Sequence, residues 1–191
     1  TKIINKDVSI SLSEMMAKMH MIGRESKLNR YNTMLIPSWS YILGKFHDFK
    51  EHNFNEELKL VSESIEDVEP IVANFQALSN TKINNFLRIK INLQTPIIGY
   101  TEDKHNGAHI DRFDPHKTII YYLNDSDGDS VIFDKAYDPL KESTWPPNVD
   151  LKIKEKITPV ANSLCYLENG FTYHSGSNPI NSPRRITINI N

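Results

Sequence analysis

The period of the hydrophobic pattern changes near Asn80, and that change constrains the fold more than any other feature of the chain. From Asn55 to about Leu78, the residues Leu58, Val61, Ile65, Val68, Ile71, Val72 and Phe75 recur at three- and four-residue steps. That spacing predicts an amphipathic helix packed on a sheet, with Pro70 as a kink or as the join between two helices. Beyond Asn80, apolar and polar residues alternate in Phe86-Leu87-Arg88-Ile89-Lys90-Ile91-Asn92-Leu93, as in a half-buried strand. Further strands are predicted at His116 to Leu123, Ser130 to Phe133, Leu151 to Ile157, Ser163 to Leu167 and Arg184 to Ile190, with turn-rich segments such as Asn124-Asp125-Ser126-Asp127-Gly128 and Asn178-Pro179 between them. Many short, evenly spaced strands predict a jelly-roll or sandwich. No linker rich in Pro, Gly or Ser separates the two parts, so a single mostly β domain with an α flank is expected over 1–191, the flank helical over 1–80 and the β core over 81–191.

Other regions are less regular. Met15, Met16, Met19, Met21 and Ile22 stand near helical spacing behind a Ser11-Leu12-Ser13-Glu14 start that can cap a helix, and core packing is their expected role. Pro37 to Tyr41 and Phe46 to His52 fit neither period, so their structure stays open. The segment Tyr137 to Asp150, with Trp145-Pro146-Pro147, reads equally well as a lid over a site and as a proline-stiffened surface loop.

Composition removes several classes of function. With 22 basic and 24 acidic residues spread along the chain, the formal charge is −2, and no nucleic-acid partner is expected. The single cysteine, Cys165, allows neither an intrachain disulfide nor a cysteine zinc cage, and its apolar surroundings predict a buried, inert thiol. No stretch approaches the ~18 apolar residues of a membrane span, and Thr1 to Ser11 lacks the pattern of a signal peptide. The expectation is a soluble, cytoplasmic protein with no membrane partner. Gly-x-Ser-x-Gly, P-loop and Gly-x-Gly-x-x-Gly patterns are absent from the sequence, which removes the commonest hydrolase, kinase and dinucleotide readings.

Of the seven histidines, His109 and His174 have surroundings that suggest metal binding. In a strand, residues i and i+2 face the same side, so His109 and Asp111 can present an imidazole and a carboxylate to one ion. His174, far downstream, completes a facial triad. Two neutral nitrogens and one carboxylate suit Fe(II) and leave positions open for a chelating co-substrate and for oxygen.

These residues stand in a series: Gly107-Ala108-His109-Ile110-Asp111, Ile119-Ile120-Tyr121-Tyr122-Leu123-Asn124, Tyr173-His174-Ser175-Gly176 and Arg184-Arg185-Ile186-Thr187-Ile188-Asn189. The series resembles the 2-oxoglutarate/iron(II) oxygenase superfamily, and most closely its prolyl-4-hydroxylase-like branch, over roughly Leu87 to Asn191. The resemblance implies a double-stranded β-helix (jelly-roll) core, Fe(II), 2-oxoglutarate as co-substrate and, optionally, ascorbate. It implies His109, Asp111 and His174 as metal ligands, and a basic residue after the distal histidine as the clamp for the far carboxylate of 2-oxoglutarate.

Arg184 and Arg185 compete for the clamp; strand alternation favours Arg185, which shares a face with Thr187 and Asn189 in the manner of the family's Arg-x-Ser/Thr pattern. A guanidinium fork meets a carboxylate with two parallel bonds. Tyr122 matches a tyrosine that often supports the same carboxylate. Asn92 and Arg88 lie on a strand the family uses to line its substrate side, and each reads equally well as a solvent-facing residue.

The resemblance further implies oxidative decarboxylation of 2-oxoglutarate to succinate coupled to hydroxylation, since superfamily halogenases lack the carboxylate that Asp111 retains. Demethylases of the AlkB type carry a second arginine further along the same strand, where this chain has Asn191 or Ile190. The expected substrate is a prolyl residue in a peptide or protein, with a small molecule as the alternative. Two other readings are a metal-binding jelly-roll module without turnover and a cupin-like dioxygenase that uses no 2-oxoglutarate.

Other features carry less. Asp125-Ser126-Asp127-Gly128-Asp129 resembles a calcium loop, yet its glycine is misplaced and Ala136 stands where an EF-hand needs Glu, so a polar hairpin turn is expected. His105 is expected in a loop near the site mouth, and His20, His47, His52 and His116 have no partner at metal spacing.

Overall fold

The alternating segments pair into antiparallel sheets that present one apolar and one mixed face each. A computed structural model describes residues 38–45, 59–60, 67–138, 140 and 150–191. Its strands are β1 (Ser38–Lys45), β2 (Lys59–Leu60), β3 (Arg88–Gln94), β4 (Thr118–Tyr122), β5 (Ser130–Ala136), β6 (Ile153–Ile157), β7 (Ser163–Leu167), β8 (Thr172–Gly176) and β9 (Arg185–Ile190), with helix α1 (Glu69–Ser79) between β2 and β3. A six-stranded sheet runs β2-β1-β3-β9-β4-β7, and a three-stranded sheet runs β6-β5-β8. The protein is thus mostly β, with two antiparallel sheets and one helix among the described residues.

Helix α1 covers the outer face of the large sheet. Its buried Ile71, Val72 and Phe75 pack with Val68 on Ile89 and Ile91 of β3, Ile119 and Tyr121 of β4, and Ile186, Ile188 and Ile190 of β9. Full burial of each such side chain stabilises the fold by roughly 1.5–3 kcal/mol. Strand β9 is buried along its whole length. Its isoleucines face the helix, while Arg185, Thr187 and Asn189 face the interior between the sheets. One end of that interior is filled by Ile120, Tyr122, Ile132, Cys165 and Leu167. Cys165 is a free, buried thiol, and burial with the nearby Glu155 carboxylate pushes it up to about 11.

Four expectations are corrected. The predicted helix from Asn55 to Leu78 is shorter, because Lys59–Leu60 is a strand and α1 begins only at Glu69. Pro70 sits in the first turn of α1, where its missing N–H costs nothing, so it is neither a kink nor a join. The flank expected to be helical also supplies β1, which extends the large sheet by pairing with β3. The segment Asn124 to Asp129 is no hairpin: β4 and β5 belong to different sheets, and this loop crosses between them. Its carboxylates act as staples. Asp127 accepts from the backbone N–H groups of Ile180 (3.1 Å), Asn181 (2.6 Å) and Ser182 (3.1 Å), and Asp125 accepts from Ala161 N–H at 2.7 Å.

The methionine-rich segment and His20, His47 and His52 lie outside the described residues, as does most of the segment from Tyr137 to Asp150. No described helix is long and apolar enough to cross a membrane.

Candidate functional site

His109 and His174 are brought together by backbone pairing. An isolated antiparallel bridge joins them, with His109 N–H donating to the His174 carbonyl at 2.9 Å and the reverse bond at 3.0 Å. Their rings lie 4.8 Å apart, centre to centre. Directly opposed residues of an antiparallel pair point to the same side. Asp111 reaches that side from a bend, since the chain leaves the bridge after His109 and runs on irregularly rather than as the expected strand. One ligand atom from each of His109, Asp111 and His174 lies within 4.8 Å of the others, the one such cluster among the described residues.

The ring orientations suit a metal. His109 Nδ1 lies 3.0 Å from the Gly107 carbonyl, and His174 Nδ1 lies 3.0 Å from the Thr172 carbonyl. A carbonyl only accepts, so each Nδ1 carries the hydrogen and each neutral ring offers a bare Nε2. The Nε2 of His174 is buried with no hydrogen-bond partner and sits 3.4 Å from an Asp111 carboxylate oxygen. Burial, reinforced by His174, pushes His109 down to about 4, which keeps its imidazole neutral near pH 7. Although burial opposes ionisation of Asp111, a proton on His174, the Arg88 guanidinium and a proton on His109 each favour its anion and hold its carboxyl well below the usual range. Two neutral nitrogens and an anion around one point form a donor set that could hold a divalent ion.

Asp111 is oriented from behind. Arg88 Nη2 donates to its Oδ1 at 2.6 Å, and Asn191 Nδ2 donates to its Oδ2 at 3.2 Å. Asn191 also accepts from Arg88 Nη2 at 2.8 Å and donates to Thr118 Oγ1 at 2.9 Å. Arg88 therefore faces this site rather than solvent.

A cavity of about 220 Å³ opens beside the triad, and its wall on the large sheet is polar. Pairing of β3 with β9 sets Lys90 opposite Asn189, Asn92 opposite Thr187 and Gln94 opposite Arg185. Arg185 is 5 % exposed, whereas Arg184 is exposed to solvent. The Arg185 guanidinium donates from Nη2 to Ser130 Oγ at 2.7 Å and from Nη1 to Gln94 Oε1. Its Nε has no partner, and none of the described ion pairs includes it. Burial presses the guanidinium below its ordinary range. A buried cation without a carboxylate is costly unless an anion joins it. Gly176 leaves the space for one, because a Cβ there would lie 3.0 Å from Arg185 Nη1.

The structure brings the expected residues together in a graded way. Thr187 and Asn92 line the cavity, with Asn92 Nδ2 donating to Asn189 Oδ1 at 3.2 Å and to Thr187 Oγ1 at 3.4 Å. Tyr122 is fully buried in the apolar end and reaches the cavity indirectly, donating to Ser130 Oγ at 2.8 Å. Burial pushes its hydroxyl up to about 12, so it stays protonated as a donor. Tyr121 points to the other face and donates to Asn162. Among the residues the sequence reading passed over, Ser130 and Gln94 hold Arg185, Asn191 holds Asp111, and Lys90 lines the cavity. Period-two alternation along β3 and β9 carried the signal for Lys90, Gln94 and Asn191; nothing local marked Ser130.

No family model matches the sequence, and no curated protein matches it. Solved structures do resemble the fold. The non-haem α-ketoglutarate-dependent epimerase SnoN from nogalamycin biosynthesis is similar with a TM-score of 0.58 at 10 % identity, covering 98 % of this chain and 74 % of that one. A prolyl hydroxylase from Trichoplax adhaerens, in complex with a hypoxia inducible factor oxygen degradation domain peptide fragment, is similar with a TM-score of 0.54 at 15 % identity, covering 100 % of this chain and 80 % of that one. A prolyl-4-hydroxylase from Pseudomonas putida is similar with a TM-score of 0.51 at 14 % identity, covering 98 % and 86 %. These likenesses define the fold that this chain shares with 2-oxoglutarate-using and prolyl-hydroxylating enzymes.

Proposed function

We propose that this chain is an Fe(II)- and 2-oxoglutarate-dependent oxygenase built on a double-stranded β-helix, with His109, Asp111 and His174 as its metal ligands. The observation that carries the reading is the meeting of three ligand atoms within 4.8 Å, with both histidine Nδ1 atoms committed to backbone carbonyls. Iron bound there would supply the activation of oxygen.

The chain's own residues supply position and charge. Arg88 and Asn191 fix the orientation of the Asp111 carboxylate. Arg185 takes the far carboxylate of 2-oxoglutarate through its fork, while Gln94, Ser130 and, through Ser130, Tyr122 hold that fork in place. Thr187 and Asn92 line the path between the two ends. The isoleucines of β9 and the packed end around Tyr122 keep water out behind the cavity, which strengthens each electrostatic contact inside.

Among substrates, a prolyl residue in a peptide is our first choice, supported by fold likeness to two prolyl hydroxylases, one solved with a peptide. A small-molecule substrate is the second reading, supported by the likeness to an epimerase from nogalamycin biosynthesis. The direct test is turnover: iron-loaded protein given oxygen and 2-oxoglutarate should form succinate, faster when proline-containing peptides are added. Oxygen uptake without succinate would point instead to a dioxygenase independent of 2-oxoglutarate.

A further inference from the structure

Four polar side chains of β3, Arg88, Lys90, Asn92 and Gln94, alternate with Ile89, Ile91 and Leu93. Three of them are committed inside the molecule: Arg88 to Asp111 and Asn191, Asn92 to Thr187 and Asn189, and Gln94 to Arg185. Lys90 lines the same cavity, and none of the described hydrogen bonds or ion pairs engages its ammonium. Burial presses that ammonium below its ordinary range, Arg88 adds to the effect, and only Asp111 opposes it. Arg185, farther along the ladder, donates to Gln94 and Ser130, and none of the described ion pairs includes it. The cavity therefore holds two cations that none of the described ion pairs includes; no carboxylate is among its lining residues, and the neighbouring Asp111 is already paired with Arg88.

The ladder also sets their separation. Lys90 lies opposite Asn189 and Arg185 lies opposite Gln94, so the two anchors stand four residues apart along the paired strands. That is about 13 Å between backbones, and both side chains are long enough to narrow it to the span of a short diacid. Lys90 occupies the metal end, where its charge is felt by both Asp111 and His109.

We propose that Lys90 is a second cationic anchor and that the cavity takes a short dicarboxylate held at both ends, Arg185 on one carboxylate and Lys90 on the carboxylate beside the metal ligands. This rests on the 2-oxoglutarate reading and deepens it, because selectivity for a diacid then resides in the protein as well as in the metal.

The test is calorimetric titration of succinate, butyrate and 2-oxoglutarate into the protein, both Mn(II)-loaded and metal-stripped, for the unmodified chain and for Lys90→Met and Lys90→Arg. In the stripped unmodified protein, succinate should bind about tenfold tighter than butyrate. Lys90→Met should remove that advantage and leave butyrate unchanged, and Lys90→Arg should restore it. Equal affinity for succinate and butyrate in the unmodified protein would overturn the proposal without any variant, as would an unchanged succinate affinity in a folded Lys90→Met. If 2-oxoglutarate binds the Mn(II)-loaded protein in that event, the oxygenase reading stands alone; if it does not bind even there, both fall.

Discussion

Arg88 and Arg185 serve opposite electrostatic ends, and their removal should have opposite effects. Arg88 balances Asp111, whose side chain is 2 % exposed, across a 2.6 Å ion pair. Breaking a pair of this kind leaves a buried charge uncompensated, so Arg88→Met should destabilise the metal-free protein by about 3 kcal/mol. Added Mn(II) should recover part of that loss, because the ion gives Asp111 another cation. Thermal melts with and without metal check both halves. Arg185, by contrast, is a buried cation that none of the described ion pairs includes. Arg185→Met should leave the melting temperature unchanged or raised while 2-oxoglutarate binding is weakened, the trade expected where a site is kept at the expense of stability. A large fall in melting temperature would mean that its bonds to Gln94 and Ser130 are mainly structural.

Strand β9 shows how one element divides its labour. Its isoleucines join the helix-side core and its Arg185, Thr187 and Asn189 build the cavity wall. Ile188→Ala, at a fully buried position, should cost about 2–5 kcal/mol in denaturant unfolding. The loop that crosses between the sheets depends on Asp127, whose carboxyl is pressed down to about 2: burial opposes the shift, and the N–H groups of Asn181, Ser182 and Ile180 outweigh it. A depressed carboxyl contributes stability above its unfolded value and loses it as pH falls toward 2. The unmodified protein should therefore lose an increment, modest because the group is partly exposed, that Asp127→Asn lacks at every pH. The choice of Arg185 over Arg184 for the interior was legible as alternation. The direction of β3's polar face was not, because alternation separates two faces without saying whether water or a cavity lies on either. The start of α1 was also hidden, since Pro70 is acceptable both at a kink and in a first turn.

At the scale of the molecule, two antiparallel sheets enclose an interior that is apolar at one end and polar where the β3 and β9 ladders meet the His109–His174 bridge. Strand content and the order of the metal-site motifs could be read from the sequence. The partition into two sheets could not, because Asn124 to Gly128 has the composition of a hairpin turn and of a crossover alike. Nor could Ser130, which joins Tyr122 to Arg185 only once the sheets face each other. The central claim is that the triad holds iron and the cavity holds 2-oxoglutarate against it. The most direct measurement is an anaerobic titration with Fe(II) and then 2-oxoglutarate, read by the weak visible charge-transfer band of the chelate, for the unmodified protein, His174→Ala and Arg185→Ala. The band should appear in the unmodified protein, vanish without His174 and weaken without Arg185. Iron binding with no band in the unmodified protein would contradict the account.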